Sequence, residues 1–422
     1  MTSRPGEHEL IYDWNVGDEG PAMPPRPVQV VDETLRDGLQ SPSVADPAIE
    51  EKIQALHYQA EIGIHGTDIG LPGAGPRAFE ATLALAREIV SAKLPIEPYC
   101  AARTHKADID PIIEITQRTG LRIEAATFLG SSPIRQYTEG WDLDRLLRTT
   151  EEAVTYAVKN GLPVLYVTED TTRARPEVLR QLYSTAVRCG ARRVVVADTV
   201  GHATPEGALR LVRFIREVVD ATGEAVGVDW HGHRDRDLAV ANALAAYRGG
   251  ADRVHGTMLG IGERVGNAPL DLILINLQLL GWLEVDLTSL PQYCALVSRA
   301  CRVPIPYNYP ALGRDAFRTG TGVHAAAVIK AHRKGDAWLA DRVYSSIPAE
   351  MLGLRQVIEI GPMSGESNVI HWLETHGYET ERPLIEHLFR LAKQRETVFE
   401  DHELEAAIAA FRQAGHGAAS RG

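Results

Sequence analysis

The feature of this sequence that most constrains its fold is a regular alternation of short β-rich apolar runs with longer segments of helical periodicity. Such alternation is typical of βαβ units built around a parallel sheet. The runs predict strands over residues 28–32, 66–69, 95–101, 122–128, 163–167, 193–197, 225–230 and 253–257. Each precedes a predicted helix, over residues 47–62, 76–91, 108–118, 141–159, 175–190, 204–221, 235–249 and 270–280. Eight such units match an α/β fold of the (β/α)8 TIM-barrel type, with an open doubly wound sheet as the alternative.

The chain has 422 residues, which is more than one barrel requires. The sequence predicts an N-terminal leader segment over residues 1–26, a catalytic barrel over 27–283, and a linker with mostly helical subdomains over 284–422. Prolines and turn residues within 303–313 predict a connector out of the barrel. Helical periodicity returns over 321–333 and 382–414. No regulatory domain is expected in this C-terminal extension.

Charge and cysteine content narrow the class of partner. The formal net charge of −12 argues against nucleic acid, because proteins that bind polyanions carry a basic face. No apolar run approaches the ~20 residues that span a bilayer, and the first residues lack the pattern of a signal peptide. The four cysteines form no CxxC pair, which favours a reducing compartment. We therefore expect a cytoplasmic protein that acts on small molecules, with no nucleic-acid or membrane partner.

Metal-ligating side chains stand where two predicted strands end, and barrel enzymes place their catalytic groups at strand C-termini. Asp37 follows the first strand, while His231 and His233 end the seventh. Residues i and i+2 of an extended chain point the same way, so both imidazoles face one point. Two imidazoles and a carboxylate are a common ligand set for divalent cations. A metal site at the barrel mouth is therefore predicted, with a structural HxH pair and a solvated loop as the alternatives.

Other strand ends carry further candidates for chemistry. Arg103 follows the third strand, Glu169 follows the fifth, and Thr199 follows the sixth. The loop after the eighth strand, GIGERVGN at 260–267, is rich in glycine and ends at Asn267, within reach of the metal. Each polar residue on its own is also explained by helix capping. Their convergence on one mouth favours an active site.

These motifs resemble those of metal-dependent barrel enzymes that include 2-isopropylmalate, homocitrate and citramalate synthases and, more distantly, hydroxymethylglutaryl-CoA lyase. The matching stretches are DETLRDGLQS at 32–41, TEDTTR at 168–173, ADTVGHATP at 197–205, HGH at 231–233 and GIGERVGN at 260–267. The resemblance implies an acyltransferase that uses a divalent metal (Zn, Mn or Mg) to condense acetyl-CoA with an α-keto acid.

The resemblance also implies ligand contacts for single residues. Asp37, His231 and His233 are implied as metal ligands, with Asn267 as a ligand or close neighbour of the ion. Arg36 and Thr199 are implied to hold the carboxylate and carbonyl of the keto acid, and Arg36 to stabilise the developing alkoxide. Arg103 is a further candidate for substrate binding.

Three residues are implied as candidates for proton transfer, namely Glu169, His324 and Tyr344. The segment 316–324, which contains His324, resembles the histidine-bearing segment of the condensing enzymes. The resemblance implies a homodimer in which this extension contributes to the partner's site. A helix-face role for His324 and a packing role for Tyr344 are the alternatives.

Departures from the family pattern leave the substrate open. Arg103 and Arg135 would suit a keto acid with a distal carboxylate, and ADTVG at 197–201 resembles the homocitrate branch. Asp68 stands where glutamate is usual, and Arg234 follows the HGH motif where asparagine is usual. The expected reaction is 2-isopropylmalate synthase-like with 2-oxoisovalerate, and a homocitrate or citramalate synthase-like condensation is the alternative.

The sequence favours two other functions less than condensation. The lyase branch is expected to carry a reactive cysteine in the loop after strand eight, and residues 260–267 contain none. A metal-dependent lyase or aldolase of the hydroxymethylglutaryl-CoA lyase type is therefore less favoured. A non-catalytic barrel is disfavoured because all three metal ligands are present.

Overall fold

The computed structural model describes residues 6–15 and 27–419. Within these ranges, eight parallel strands close into a barrel in chain order. The strands are β1 Gln29–Asp32, β2 Gly66–Asp68, β3 Glu97–Arg103, β4 Glu124–Gly130, β5 Val164–Glu169, β6 Arg193–Asp198, β7 Gly227–Gly232 and β8 Arg253–Gly256. β1 pairs with β2 and also with β8, with Val31 opposite both Gly66 and His255. The predicted TIM barrel is confirmed, and the alternative of an open sheet is wrong.

Helices alternate with the barrel strands. They are α1 Glu7–Leu10, α2 Ile49–Ile62, α3 Pro76–Ser91, α4 Lys106–Thr119, α5 Pro133–Glu139, α6 Leu143–Lys159, α7 Pro176–Arg188, α8 Pro205–Asp220, α9 Ala239–Gly249 and α10 Leu270–Leu279. Local chemistry fixes where they begin: Thr204 accepts a hydrogen bond from the backbone N–H of Gly207, and Pro205 fills the first position of α8. None of the helices in the described part of the chain has the length and apolar character needed to cross a membrane.

Helix α5 has no counterpart among the predicted helices. Ser132 caps its start by accepting a hydrogen bond from the backbone N–H of Arg135, and Pro133 follows the cap. At seven residues the helix is too short to show helical periodicity in the sequence. It places the Arg135 guanidinium 4.0 Å from the Glu169 carboxylate.

The chain divides into two compact units, Met1–Val285 and Asp286–Gly422. The first unit contains the barrel. The predicted leader over residues 1–26 lies largely outside the described residues, which cover only 6–15 of it. Inside the barrel, an apolar layer is formed by side chains from five strands, namely Val31, Tyr99, Ala126, Leu165 and Val195.

The second unit is mostly helical, as predicted. Its helices are α11 Leu290–Cys301, α12 Gly322–Arg333, α13 Ala337–Arg342, α14 Glu366–Thr375, α15 Arg382–Ala392 and α16 Asp401–Ala419. A short parallel sheet pairs β9 Arg318–Thr319 with β10 Val357–Ile358. The apolar core includes Val369, Leu373, Leu388 and Leu404.

Residues 382–414, predicted to be mostly helical, form two helices. The chain leaves helical conformation between α15 and α16. There the backbone N–H of Phe399 donates to the carbonyl of Ile360 at 2.8 Å, and the Phe399 side chain is buried. This packing accompanies the break between the two helices.

Candidate active site

Asp37, His231 and His233 come together at the C-terminal mouth of the barrel. Asp37 begins a short 3-10 turn after β1, and the two histidines lie at the end of β7. The Asp37 Oδ2 atom lies 3.6 Å from His231 Nε2 and 3.7 Å from His233 Nε2. All three ligand atoms lie within 4.8 Å of one another. A carboxylate and two imidazoles at this spacing can hold one divalent cation.

Asn267 completes the group. Its Nδ2 donates to Asp37 Oδ2 at 2.5 Å, and a backbone bridge joins Asn267 to His233. Its Oδ1 is buried and has no hydrogen-bond partner among the described residues. A buried polar oxygen without a partner is costly, whereas a cation beside Asp37 would satisfy it. The donor set and this amide oxygen both fit a divalent metal.

Glycine is required in the loop that presents Asn267. Gly266 has φ of 110°, and a Cβ on it would lie 1.8 Å from the carbonyl oxygen of Gly260. Gly262 has φ of 148°, and a Cβ there would lie 2.3 Å from Asn267 Oδ1. The glycine-rich loop can therefore fold tightly against the amide only without side chains at these positions.

The electrostatics of His233 and Asp37 suit metal binding, whereas burial would lower the pKa of His231 but the adjacent Glu33 carboxylate raises it overall. Burial and the neighbouring His231 lower the pKa of His233 to about 4, so that imidazole is neutral near pH 7. Burial alone would raise the pKa of Asp37, but the charges of Arg36 and His231 lower it overall. A neutral imidazole and an ionised carboxylate are the forms that ligate a cation.

Arg36 lies between two carboxylates. Its Nη1 is 2.9 Å from Asp37 Oδ1, and its Nε is 2.6 Å from Asp68 Oδ2. Burial would lower the pKa of Arg36, yet Asp68 and Asp37 raise it, so the guanidinium stays charged. Burial raises the pKa of Asp68 to about 6 against the pull of Arg36. Arg36 lines the cavity beside the metal ligands, where its charge faces any anionic ligand.

Thr199 and Glu169 also line this cavity. The Thr199 hydroxyl accepts a hydrogen bond from the backbone N–H of Asp170 at 2.8 Å. Burial raises the pKa of Glu169, and the nearby Arg135 only partly opposes that rise. A carboxylate with a raised pKa is a stronger base than an exposed one, which suits proton abstraction.

Three other residues that were predicted to belong to the site do not line this cavity. Arg103 does not line the cavity: its guanidinium forms a bidentate pair with Asp108, with both N–O distances 2.8 Å. His324 and Tyr344 belong to the C-terminal unit, where both are exposed. Arg234, which departs from the family pattern, pairs with Asp237 at 3.0 Å.

Three residues without a predicted role lie directly behind the metal ligands. Glu33 Oε2 is 2.6 Å from His231 Nδ1, on the opposite side of the ring from Asp37. Glu33 Oε1 accepts a hydrogen bond from the Tyr99 hydroxyl at 2.6 Å and lies 3.0 Å from His255 Nδ1. The available signal was Glu33 directly after β1 and His255 on β8, because barrel interiors are normally apolar.

Glu33, His231 and His255 are also close enough to hold a cation between them. Their facing atoms, however, already satisfy one another through the hydrogen bonds above. The group around Asp37 retains an unpartnered amide oxygen, so it is the better metal centre.

The cavity at the barrel mouth has a volume of about 330 Å³. Its polar wall consists of the metal ligands and the charged residues around them. The remaining wall is apolar and is formed by Ala101, Ala126, Phe128, Leu165, Val167, Val195 and Ala197. A small ligand with a polar head and an apolar side chain matches this division.

The HMGL-like family model matches residues 27–297. This chain belongs to the HMGL-like family. Within it, a probable 2-isopropylmalate synthase of Methanopyrus kandleri is 35% identical over 376 residues, covering 88% of this chain and 70% of the relative. The homocitrate synthase AksA of the same organism is 32% identical over 392 residues, covering 92% of this chain and 91% of the relative. The predicted resemblance to these synthases is confirmed, and so is the prediction of an enzyme of this family.

Among solved structures, the HMG-CoA lyase of Bacillus subtilis aligns with a TM-score of 0.56 at 20% identity, covering 67% of this chain and 97% of that one. At this identity the likeness establishes the barrel fold alone. The alignments with the two synthases, over 376 and 392 residues, are longer than the first unit, Met1–Val285, and so extend into the second.

Proposed function

We propose that the protein condenses acetyl-CoA with an α-keto acid that has an apolar side chain, with 2-oxoisovalerate as the first candidate. The products are a 2-hydroxy-2-carboxymethyl acid and free CoA. The apolar wall of the cavity, opposite the proposed metal centre, is the observation that supports a keto acid with an apolar side chain. A branched apolar side chain gains favourable burial there, whereas a charged one is desolvated without compensation.

The cavity offers no second free arginine for a distal carboxylate among the described residues that line it. Arg36 is needed for the α-carboxylate that every keto acid carries, and Arg264, the other arginine in the lining, pairs with Asp235 at 2.7 Å. Arg103 lies outside the cavity, where Asp108 binds it. A distal carboxylate needs a further cation, so the cavity supports the apolar substrate better.

When bound by Asp37, His231 and His233, with Asn267 beside it, a divalent cation supplies Lewis-acid polarisation of a ketone. Arg36 holds the carboxylate of the keto acid, and Thr199 donates its hydroxyl to the same ligand. Glu169 takes a proton from the methyl group of the acetyl thioester. Its raised pKa makes it a competent base near neutral pH.

The methyl carbon then forms a bond to the ketone carbon, and the ketone oxygen becomes an alkoxide that Arg36 stabilises. Proton delivery to that oxygen falls to His324 and Tyr344. Water finally cleaves the thioester and releases CoA. We propose that the active protein is a homodimer in which the C-terminal unit supplies this pair to the partner's barrel.

A second and wider groove, of about 890 Å³, adjoins the cavity and shares Arg36 and Gln40 with it. Its lining includes Lys52 and Arg77, which both contact the single carboxylate of Asp46. With Arg36 included and Glu80 as a second anion, the lining keeps a small excess of positive charge, which suits the phosphates of acetyl-CoA. We assign this groove to the acyl-CoA because it leads to the Arg36 side of the metal centre.

The reaction is tested by release of free thiol from acetyl-CoA in the presence of 2-oxoisovalerate, pyruvate, 2-oxoglutarate or oxaloacetate. Thiol release that is fastest with 2-oxoisovalerate supports the proposal. Preference for 2-oxoglutarate would favour the homocitrate-type reaction of the second relative. Thiol release without a keto acid, or cleavage of a hydroxyacyl-CoA instead, would contradict condensation.

A further inference from the structure

A line of ionisable side chains runs through the interior of the barrel, where branched apolar residues are normally found. Its members are almost completely buried, with exposed fractions of 3% for Glu33, 1% for His255 and 0% for Asp229. Buried charges are costly unless each is paired. The reaction proposed above gives Glu33, His255 and Asp229 no role.

The line begins at a metal ligand and ends at the opposite end of the barrel. From His231 Nδ1 it passes to Glu33 at 2.6 Å and from Glu33 to His255 Nδ1 at 3.0 Å. His255 Nε2 lies 3.2 Å from Asp229 Oδ2, and Asp229 Oδ1 accepts a hydrogen bond from Arg193 Nη1 at 2.7 Å. Each carboxylate therefore stands between two donors.

This arrangement fixes the state of His231. Because Glu33 accepts from Nδ1, the proton of the neutral imidazole resides there, and the lone pair of Nε2 faces Asp37. The ring cannot turn without breaking the bond to Glu33. Carboxylates that accept from the distal nitrogen of a ligating imidazole orient the ring and make it a stronger donor to the metal.

Glu33 is itself held rigidly. The Tyr99 hydroxyl donates to Oε1 at 2.6 Å, and His255 contacts the same oxygen, so Oε2 is left for His231. Both ring nitrogens of His255 face carboxylate oxygens, which orients that ring in turn. The carboxylate that meets the ligand is thus preorganised by two further side chains.

We propose that Glu33 is a positioning residue that sets the affinity of the metal centre by orienting His231, with Tyr99 and His255 holding Glu33 in place. The inference rests on the proposed function, since it takes Asp37, His231 and His233 as the metal ligands. It adds a residue that the motif resemblance does not assign.

The test compares Glu33→Gln with Glu124→Gln in the full chain. Glu124 on β4 lies beyond the Asp229 end of the line: it is 3.1 Å from Arg253 Nη1, which is 4.0 Å from Asp229 Oδ2, and no hydrogen bond joins it to His231. The dissociation constant for Mn²⁺ or Zn²⁺ is measured by calorimetry, and the visible spectrum is recorded with Co²⁺. We expect Glu33→Gln to weaken binding by about 10- to 100-fold and to shift the Co²⁺ spectrum. Glu124→Gln is expected to change neither.

Unchanged affinity and spectrum in a folded Glu33→Gln protein would overturn the inference. If Glu33→Gln does not fold, Tyr99→Phe takes its place, because it removes one hydroxyl from Glu33 and keeps the aromatic bulk. That variant should weaken binding several-fold, and affinity equal to the wild type would overturn the inference.

A His231→Ala reference separates the two proposals. If His231→Ala abolishes metal binding while Glu33→Gln leaves it intact, the positioning role alone fails. If the wild type binds no metal, or His231→Ala binds as tightly as the wild type, the proposed metal centre fails and the positioning role with it.

Discussion

The rings of His324 and Tyr344 stack in the C-terminal unit, with centroids 4.1 Å apart and planes inclined by 29°. Helix α12 carries His324, and Tyr344 follows α13. Both side chains are exposed, so the contact contributes only about 1 kcal/mol to folding. A large loss of turnover on substitution would therefore report on chemistry and not on stability.

We expect His324→Ala to lower kcat by about 100-fold while leaving metal and keto-acid binding unchanged, because general acid–base groups contribute at least that much. Tyr344→Phe should lower kcat less, since it keeps the stacked ring and removes only the hydroxyl. Steady-state kinetics and calorimetry with the keto acid measure the two effects. A weakened keto-acid affinity with normal kcat would contradict the proton-transfer role.

The metal centre predicts a sharp contrast between two histidines. His231→Ala should reduce turnover by more than about 100-fold with every keto acid, because losing one stabilising donor at the reacting oxygen already costs that much. The protein should still fold, with a lower midpoint of thermal unfolding, because the buried Glu33 carboxylate loses one partner. His57→Ala is the control, since His57 is exposed and pairs with Glu88 on α3. Normal activity of His231→Ala in metal-replete buffer would refute the ligand assignment.

If the apolar wall binds the side chain of the keto acid, a larger residue in that wall should change the preference between keto acids. Ala197 lines the cavity from β6, and Ala197→Val adds two methyl groups there. We expect kcat/KM for 2-oxoisovalerate to fall about 10-fold or more, while the smaller pyruvate loses less. An equal loss with both substrates would show that the branched side chain does not occupy this wall.

The environment of Glu169 predicts how activity depends on pH. Burial raises the pKa of Glu169, and Arg135 lowers it. Because the base must be ionised, activity is lost as pH falls through this raised pKa, at a higher pH than for an ordinary glutamate. Arg135→Gln removes the opposing charge, so the acidic limb of kcat/KM should move to higher pH. A limb that moves to lower pH, or stays, would exclude Glu169 as the titrating base.

Local patterns were sufficient to predict the barrel and the meeting of Asp37, His231 and His233 at its mouth. Asp37 and the two histidines could be identified because strand ends of a parallel barrel meet at one mouth and i, i+2 residues share a face. The hydrogen bonds that hold His231 from behind could not be predicted, because Glu33 and His255 are 222 residues apart in the chain. Their hydrogen bond exists only after β1 pairs with β8.

Two further details could not be predicted from local patterns. Arg103 was expected to contact the substrate, and in the structure Asp108, five residues further along the chain, binds its guanidinium with two hydrogen bonds. Residues 382–414 were expected to be mostly helical, and the break between α15 and α16 lies where Phe399 is buried. The backbone partner of Phe399, Ile360, is distant in sequence, so helical periodicity does not report this contact.

The most direct measurement is identification of the product formed from acetyl-CoA labelled with ¹³C in the acetyl group and unlabelled 2-oxoisovalerate. We expect one new acid, formed together with one equivalent of free CoA. Its mass should equal that of the keto acid with a labelled carboxymethyl group and one hydrogen added. The acid should not form with metal-stripped protein, and it should return when the metal is restored. Labelled acetate as the sole acid product would contradict carbon–carbon bond formation and, with it, the proposed function.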